Sequence, residues 1–130
     1  EQLVVEEGFL ESDPRIALAQ AKDALLRTCR YLMALRMHAE GWTVEAATSF
    51  FVQHAHMAEG PARMEAERAT YDPLTLAYTL GKLEILRLRE DLRAREGSAF
   101  SLARFHERLL AQGQVPFWFH RAELLGEPLP

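Results

Sequence analysis

Cysteine is nearly missing from this sequence: Cys29 stands alone among 130 residues. One thiol forms no internal disulfide and cannot complete a cysteine-based zinc site, so a reducing compartment, the cytoplasm, is the expected location. No apolar run approaches the roughly 18 residues that a membrane span requires, and a soluble protein without a membrane partner is expected. Positive charge is not in excess either. The formal net charge is −4, with Lys and Arg interspersed among Asp and Glu. That mixture leaves no basic face to track phosphates and argues against a nucleic-acid partner. Alternation of apolar and polar residues never runs long enough to argue for a sheet. A Gly-rich phosphate loop, a GxSxG turn and a plausible Cys–His pair are likewise missing.

What is present is helical punctuation around a hydrophobic content of 48%, enough for one core. The expectation is a single all-α domain over residues 1–130, with about six helices in a bundle-like layer arrangement. The chain opens on Glu1-Gln2-Leu3, inside an amphipathic pattern, with no Met start and no export signal. Residues 1–10 therefore read as the tail of a helix, and the chain as part of a larger protein. Ser12-Asp13-Pro14 supplies a cap and a first-turn proline for a helix near residues 14–40, ended by Gly41. Its stripe of Leu18, Ala21, Leu25, Cys29 and Leu32, widened by Leu26, Met33 and Met37, predicts a central helix.

Thr43 is a cap for the next helix, with Ala46, Ala47, Phe50, Phe51 and Ala55 on one side and Gly60-Pro61 as its break. A brief helical stretch holds Glu65 and Arg68. Asp72-Pro73 repeats the cap-then-proline signal for a long helix near residues 73–96. Two stripes on that helix, one through Tyr78, Gly81, Ile85, Leu88 and Leu92 and one through Leu76, Leu80 and Leu83, predict two covered sides. Gly81 costs about 1 kcal/mol relative to Ala inside a helix, which points to close approach of a neighbouring backbone. Ser101 caps a helix to Gln112, and Pro116 begins a last short one carrying Phe117, Trp118 and Phe119.

Five histidines raise the question of a metal, but the spacings answer against one within this chain. His54 and His56 are two apart and point to opposite sides of a helix. His106-Glu107 opens like a two-histidine zinc helix, yet Leu110 occupies the position of the second ligand. Taken alone, the chain lacks a catalytic centre. The charged run from Arg87 to Glu96 reads as a solvated face, with Arg87, Asp91 and Arg95 at the spacing of surface ion pairs. A more pointed group is His38, Arg68, Tyr71 and Tyr78. Arg68, Tyr71 and Tyr78 surround the helix start at Asp72-Pro73, a setting that favours an anion such as a carboxylate. A hydrogen-bonded tether between helices is the alternative reading of the same residues.

The order RYLMALRMH over residues 30–38, then GWTVEAA, then Glu65 and Arg68, then YDPLTLAYTLGKLEILRLRE, then FSLARFHERLL and GQVP resembles the C-terminal portion of a bacterial family, domain of unknown function eight-eight-five. Members of that family resemble zinc metallopeptidases of the gluzincin type. The resemblance spans essentially residues 1–125. It implies a His-Glu…Pro-Gly-His motif and an EGWALY-x-E segment upstream as the source of zinc ligands and general base. Glu1-Gln2-Leu3 matches the end of that segment, with Glu1 at most a group behind the ligands. Zinc is accordingly expected in the parent protein and not in this chain. The upstream half of the parent and a short peptide are the expected partners. His38, Arg68 and Tyr78 match recurring polar positions of the family, with Tyr71 beside them. In related zinc peptidases such groups bind a substrate carboxylate or steady an oxyanion. The family commonly has Asp four residues before the His, where this chain has Ala34, so His38 lacks its usual orienting carboxylate. The alternative function is a non-catalytic helical interaction or scaffold domain.

Overall fold

The structure, a computed structural model, describes residues 13–129, so the expectation for residues 1–10 lies outside the described residues. The chain is all-α. The α-helices among the described residues are α1 (Pro14–Ala39), α2 (Val44–His54), α3 (Glu59–Ala69), α4 (Leu76–Glu96), α5 (Leu102–Ala111) and α6 (Phe117–Leu125). Contacts divide the chain into two units, residues 1–80 and 81–130, with the boundary falling inside α4.

Local chemistry sets the helix starts of the first unit. The Asp13 carboxylate accepts the Arg15 backbone N–H at 2.9 Å, and Pro14 occupies the first helical turn of α1. Thr43 Oγ1 accepts the Ala46 N–H at 3.2 Å to open α2. Gly41, at φ 69°, takes the left-handed backbone that ends α1 without a Cβ penalty. Gly60-Pro61 is not the break expected from the sequence. Both residues lie in the first turn of α3, where proline's missing N–H has no helical partner to lose. The chain reverses instead around His56, which adopts a left-handed φ of 53°.

Small side chains build the core of this unit. Ala47 and Ala55, together with Ala62, Ala66 and Ala69 of α3, surround Cys29, Met33 and Phe51. The α3 alanines follow the four-and-three spacing of one helix face. Arg36 closes the corner between α1 and α2, with its guanidinium 4.5 Å from the centre of the Trp42 ring. The buried side of α1 is shorter than its apolar stripe. Only Cys29, Met33 and Ala34 are buried, whereas Leu18 and Leu25 stand exposed.

The second unit has larger core residues: Leu88 and Leu92 of α4, Phe105 of α5, and Leu124 and Leu125 of α6. Ser101 Oγ caps α5 through the Arg104 N–H, and Gly126 ends α6 at φ 63°. Asp91 accepts from Arg121 Nη1 at 2.9 Å, and Arg95 Nη1 donates to the Leu125 carbonyl. The expected Arg87–Asp91–Arg95 ladder is therefore replaced for Asp91 and Arg95 by contacts with α6. Two covered sides of α4 are not found either, since Leu80, Leu83 and Ile85 are exposed. A Cβ at Gly81 would meet nothing within 4 Å, so no neighbouring backbone approaches it.

Candidate functional site

Three segments of the first unit converge on a cavity of about 150 Å³ lined by Arg27, Arg30, Arg68, Thr75 and Tyr78. Arg27 and Arg30, three apart on α1, share a face. Arg68 lies in the last turn of α3, where a cation opposes the negative end of the helix dipole. Pro73–Thr75 forms a 3-10 turn that delivers Thr75 and then Tyr78 in the first turn of α4. Thr79 Oγ1 donates to the Arg27 carbonyl at 3.1 Å and fastens this segment to α1.

Each of two guanidiniums is held by its own carboxylate. Arg30 Nε and Nη2 donate to the two Glu65 oxygens at 2.7 and 2.5 Å, a bidentate pair in which both side chains are largely covered. Arg68 Nε and Nη2 both donate to Asp72 Oδ2, at 3.1 and 3.0 Å. This pairing corrects the expected role of Asp72. Its side chain caps no helix, because Arg68 occupies it, and α4 begins only after the 3-10 turn. The Asp72 backbone carbonyl accepts from buried Thr75 Oγ1 at 3.3 Å.

The cavity is lined by arginines. Its lining carries three guanidiniums and no carboxylate. Glu65 and Asp72 pair with two of these guanidiniums, those of Arg30 and Arg68. The Glu65 carboxylate, hydrogen-bonded to Arg30, holds that guanidinium's pKa above its ordinary value against the opposing effect of burial. Asp23 and Tyr78 add smaller electrostatic contributions in the same direction. With the Tyr78 phenol beside the cations, the arrangement suits an oxygen anion and supplies a donor to it, whereas the Thr75 hydroxyl proton is already given to the Asp72 carbonyl.

These features sit within a recognised sequence pattern. The family described as "Bacterial protein of unknown function (DUF885)" matches residues 1–123. The chain belongs to DUF885. No curated protein and no solved structure gives a significant match to it.

Of the four residues singled out in this DUF885 chain, the structure brings Arg68 and Tyr78 to one cavity. Tyr71 does not line it and is 76% exposed. His38 Nε2–H donates to the Ala69 carbonyl at 2.9 Å, joining the last turn of α1 to the end of α3. Ala34, one turn earlier, is fully packed in the interior. Sequence reasoning missed Arg27, Arg30 and Thr75. The available signal was a pair of arginines three apart on a helix otherwise covered with apolar residues. Among the described residues, no three His, Cys, Asp or Glu stand together in a way that could hold a metal ion. None of the described helices is long and apolar enough to cross a membrane.

A second cavity, of about 350 Å³, lies in the other unit and is mainly apolar, with Ile85, Leu109, Val115 and Phe117 in its wall. Buried His120 also lines it, with Nδ1 2.7 Å from Gln112 Oε1. The Gln112 oxygen can only accept, so the His120 proton lies on Nδ1.

Proposed function

We propose that this chain is the substrate-side helical region of a zinc-dependent metallopeptidase acting on short peptides, with Arg68 and Tyr78 receiving an anionic group of the substrate. The observation that carries this reading is the convergence of Arg68 and Tyr78, from different helices, on one arginine-lined cavity. The chain belongs to DUF885, and the peptidase class rests on the resemblance of that family to zinc metallopeptidases set out above. The described residues do not fit a zinc site. The ion would be held outside them, and no catalytic step is derived through it. What this chain contributes is binding and orientation. Guanidiniums fixed by Glu65 and Asp72 face a substrate anion, and the Tyr78 phenol donates a further hydrogen bond. Tyr71 and His38 do not line this cavity; the first is exposed and the second donates to the Ala69 carbonyl.

The test uses the full-length protein. Zinc bound in stoichiometric amount, peptidase activity on a panel of short peptides, and loss of that activity on chelation with recovery on zinc addition are the expected results. Tyr78→Phe should lower turnover by about tenfold, the worth of one hydrogen bond to a charged group, with the melting temperature unchanged. Tyr78 is 71% exposed, so removing its hydroxyl leaves the core untouched. A protein without bound metal that cleaves no peptide in the panel would leave the non-catalytic interaction or scaffold reading ahead.

A further inference from the structure

We infer that the apolar cavity of the second unit is a binding site for a neutral phenol, whose hydroxyl donates to His120 Nε2. The inference does not rest on the metallopeptidase reading. Three observations support it.

The first is an imidazole with one end taken and the other open. His120 is only 8% exposed, yet it lines the cavity. Gln112 Oε1, at the C-terminal end of α5, accepts the Nδ1 proton at 2.7 Å, so Nε2 carries a lone pair and no hydrogen. Among the described residues no donor bonds Nε2. None of the described side-chain nitrogens or oxygens is both sealed and unpaired, so Nε2 reaches open space, and the cavity is the space that His120 borders. Buried polar atoms are nearly always hydrogen-bonded. An acceptor held in a cavity wall without a protein donor is completed by a donor on whatever enters. One water, with about 30 Å³ of liquid volume, would satisfy the atom and leave most of the cavity unfilled.

The second is the wall. Ile85, Leu109, Leu110, Val115 and Phe117 supply apolar surface, and no Asp, Glu, Lys or Arg lines the cavity. A charged group entering it would lose hydration without meeting a counter-charge, which selects a neutral ligand. The Phe117 and His120 rings stand 6.0 Å apart at 54°, the spacing of an aromatic pair, and offer faces and edges to a third ring. A rigid ring also loses less freedom on burial than a flexible chain.

The third is size and access. A volume of about 350 Å³ falls at the lower end of the roughly 300–1,000 Å³ of small-molecule sites, and more than doubles the about 150 Å³ that takes benzene. A substituted single ring fits. Gly113, at φ 70°, turns the chain after α5 so that Val115 and then Phe117 return to the cavity. Leu110 and Ile85 stand exposed and mark where it opens.

Full-length protein with isotope-labelled histidine provides the first test. Proton–nitrogen correlation spectra should show His120 protonated at Nδ1 and bare at Nε2, and p-cresol should move the Nε2 resonance more than that of Nδ1. Loss of the signal in His120→Phe identifies it. A proton on Nε2 in the free protein, or an Nε2 resonance indifferent to p-cresol, would overturn the inference.

Titration calorimetry on the same protein defines the ligand class. p-Cresol should bind about tenfold more tightly than its methyl ether, which keeps the ring and lacks the donor. It should also exceed the saturated-ring alcohol, which keeps the donor and lacks the aromatic ring. Equal or tighter binding of either analogue would remove the phenol from the proposal. N-acetyltyrosine amide carries the same phenol on a peptide unit. Tighter binding than p-cresol names a polypeptide as the source, and weaker binding names a free small molecule.

His120→Phe keeps a ring and removes the acceptor. It should erase the preference for p-cresol over the methyl ether, and a preference that persists would sink the role of His120. Val115→Trp serves should that variant fold poorly, because it fills the cavity and leaves the bond between His120 and Gln112 in place. It should abolish p-cresol binding, and undiminished affinity would put the phenol elsewhere. Zinc binding and peptide cleavage enter none of these outcomes, so the two readings stand or fall separately.

Discussion

The two units solve the same burial problem with different side chains. In the first, five alanines surround Met33, Phe51 and Cys29; in the second, four leucines from two helices enclose Phe105 without a buried alanine. Alanine seams let helix axes approach closely, whereas bulky residues hold them further apart. Their cavities differ accordingly in chemistry. The first unit has a small cationic cavity braced by ion pairs, and the second a larger apolar one with one buried imidazole. The comparison teaches that a core of small residues supplies packing while neighbouring positions on the same helices remain available for charge. Cys29 and Met33 of α1 are buried, and Arg27 and Arg30 between and beside them line the cavity.

That contrast can be broken most severely at its largest residue. Phe51→Ala removes the one fully buried aromatic ring of the alanine-lined interior and should cost about 3–5 kcal/mol. Phe105→Ala should cost less, toward the low end of that range, because the leucines around it can rearrange. Denaturant unfolding of both variants checks the order, and equal losses would mean that core composition does not govern relaxation here. A smaller effect sharpens the same point. Ala66→Leu inserts bulk at a position with 0% exposure and should destabilise by about 1–3 kcal/mol. A neutral outcome in thermal unfolding would show that the seam is looser than its composition implies. The smallest effect has the opposite sign. Gly81 opens the second unit and its added Cβ would meet no atom within 4 Å. Gly81→Ala should therefore stabilise α4 by about 1 kcal/mol, read as a raised melting temperature.

Much of the fold was legible because its signals are local. Asp13, Thr43 and Ser101 cap helices through hydrogen bonds to backbone groups two or three residues away, and any sequence window contains both partners. Asp72 has the same signature and does something else, because Arg68 is placed to take its carboxylate. Gly60-Pro61 misled for a related reason: a proline that breaks a helix interior is equally at home in a first turn. The stripes on α1 and α4 marked the buried ends, at Cys29, Met33, Leu88 and Leu92, and overstated the rest. Periodicity states which residues share a face but not how far along the helix that face is covered.

The candidate site divides along the same line. Arg68 and Tyr78 could be singled out because they flank one helix start in the sequence. Arg30 and Glu65 are 35 residues apart, and no local spacing rule links them. By itself, the sequence determined the all-α class, the helix starts and the candidates nearest in the chain, since backbone propensity and capping act over a single turn. Only the tertiary structure decided that Arg30 meets Glu65 and that three arginines share a cavity. Those contacts exist only after apolar burial has docked α1 against α3 and the turn before α4.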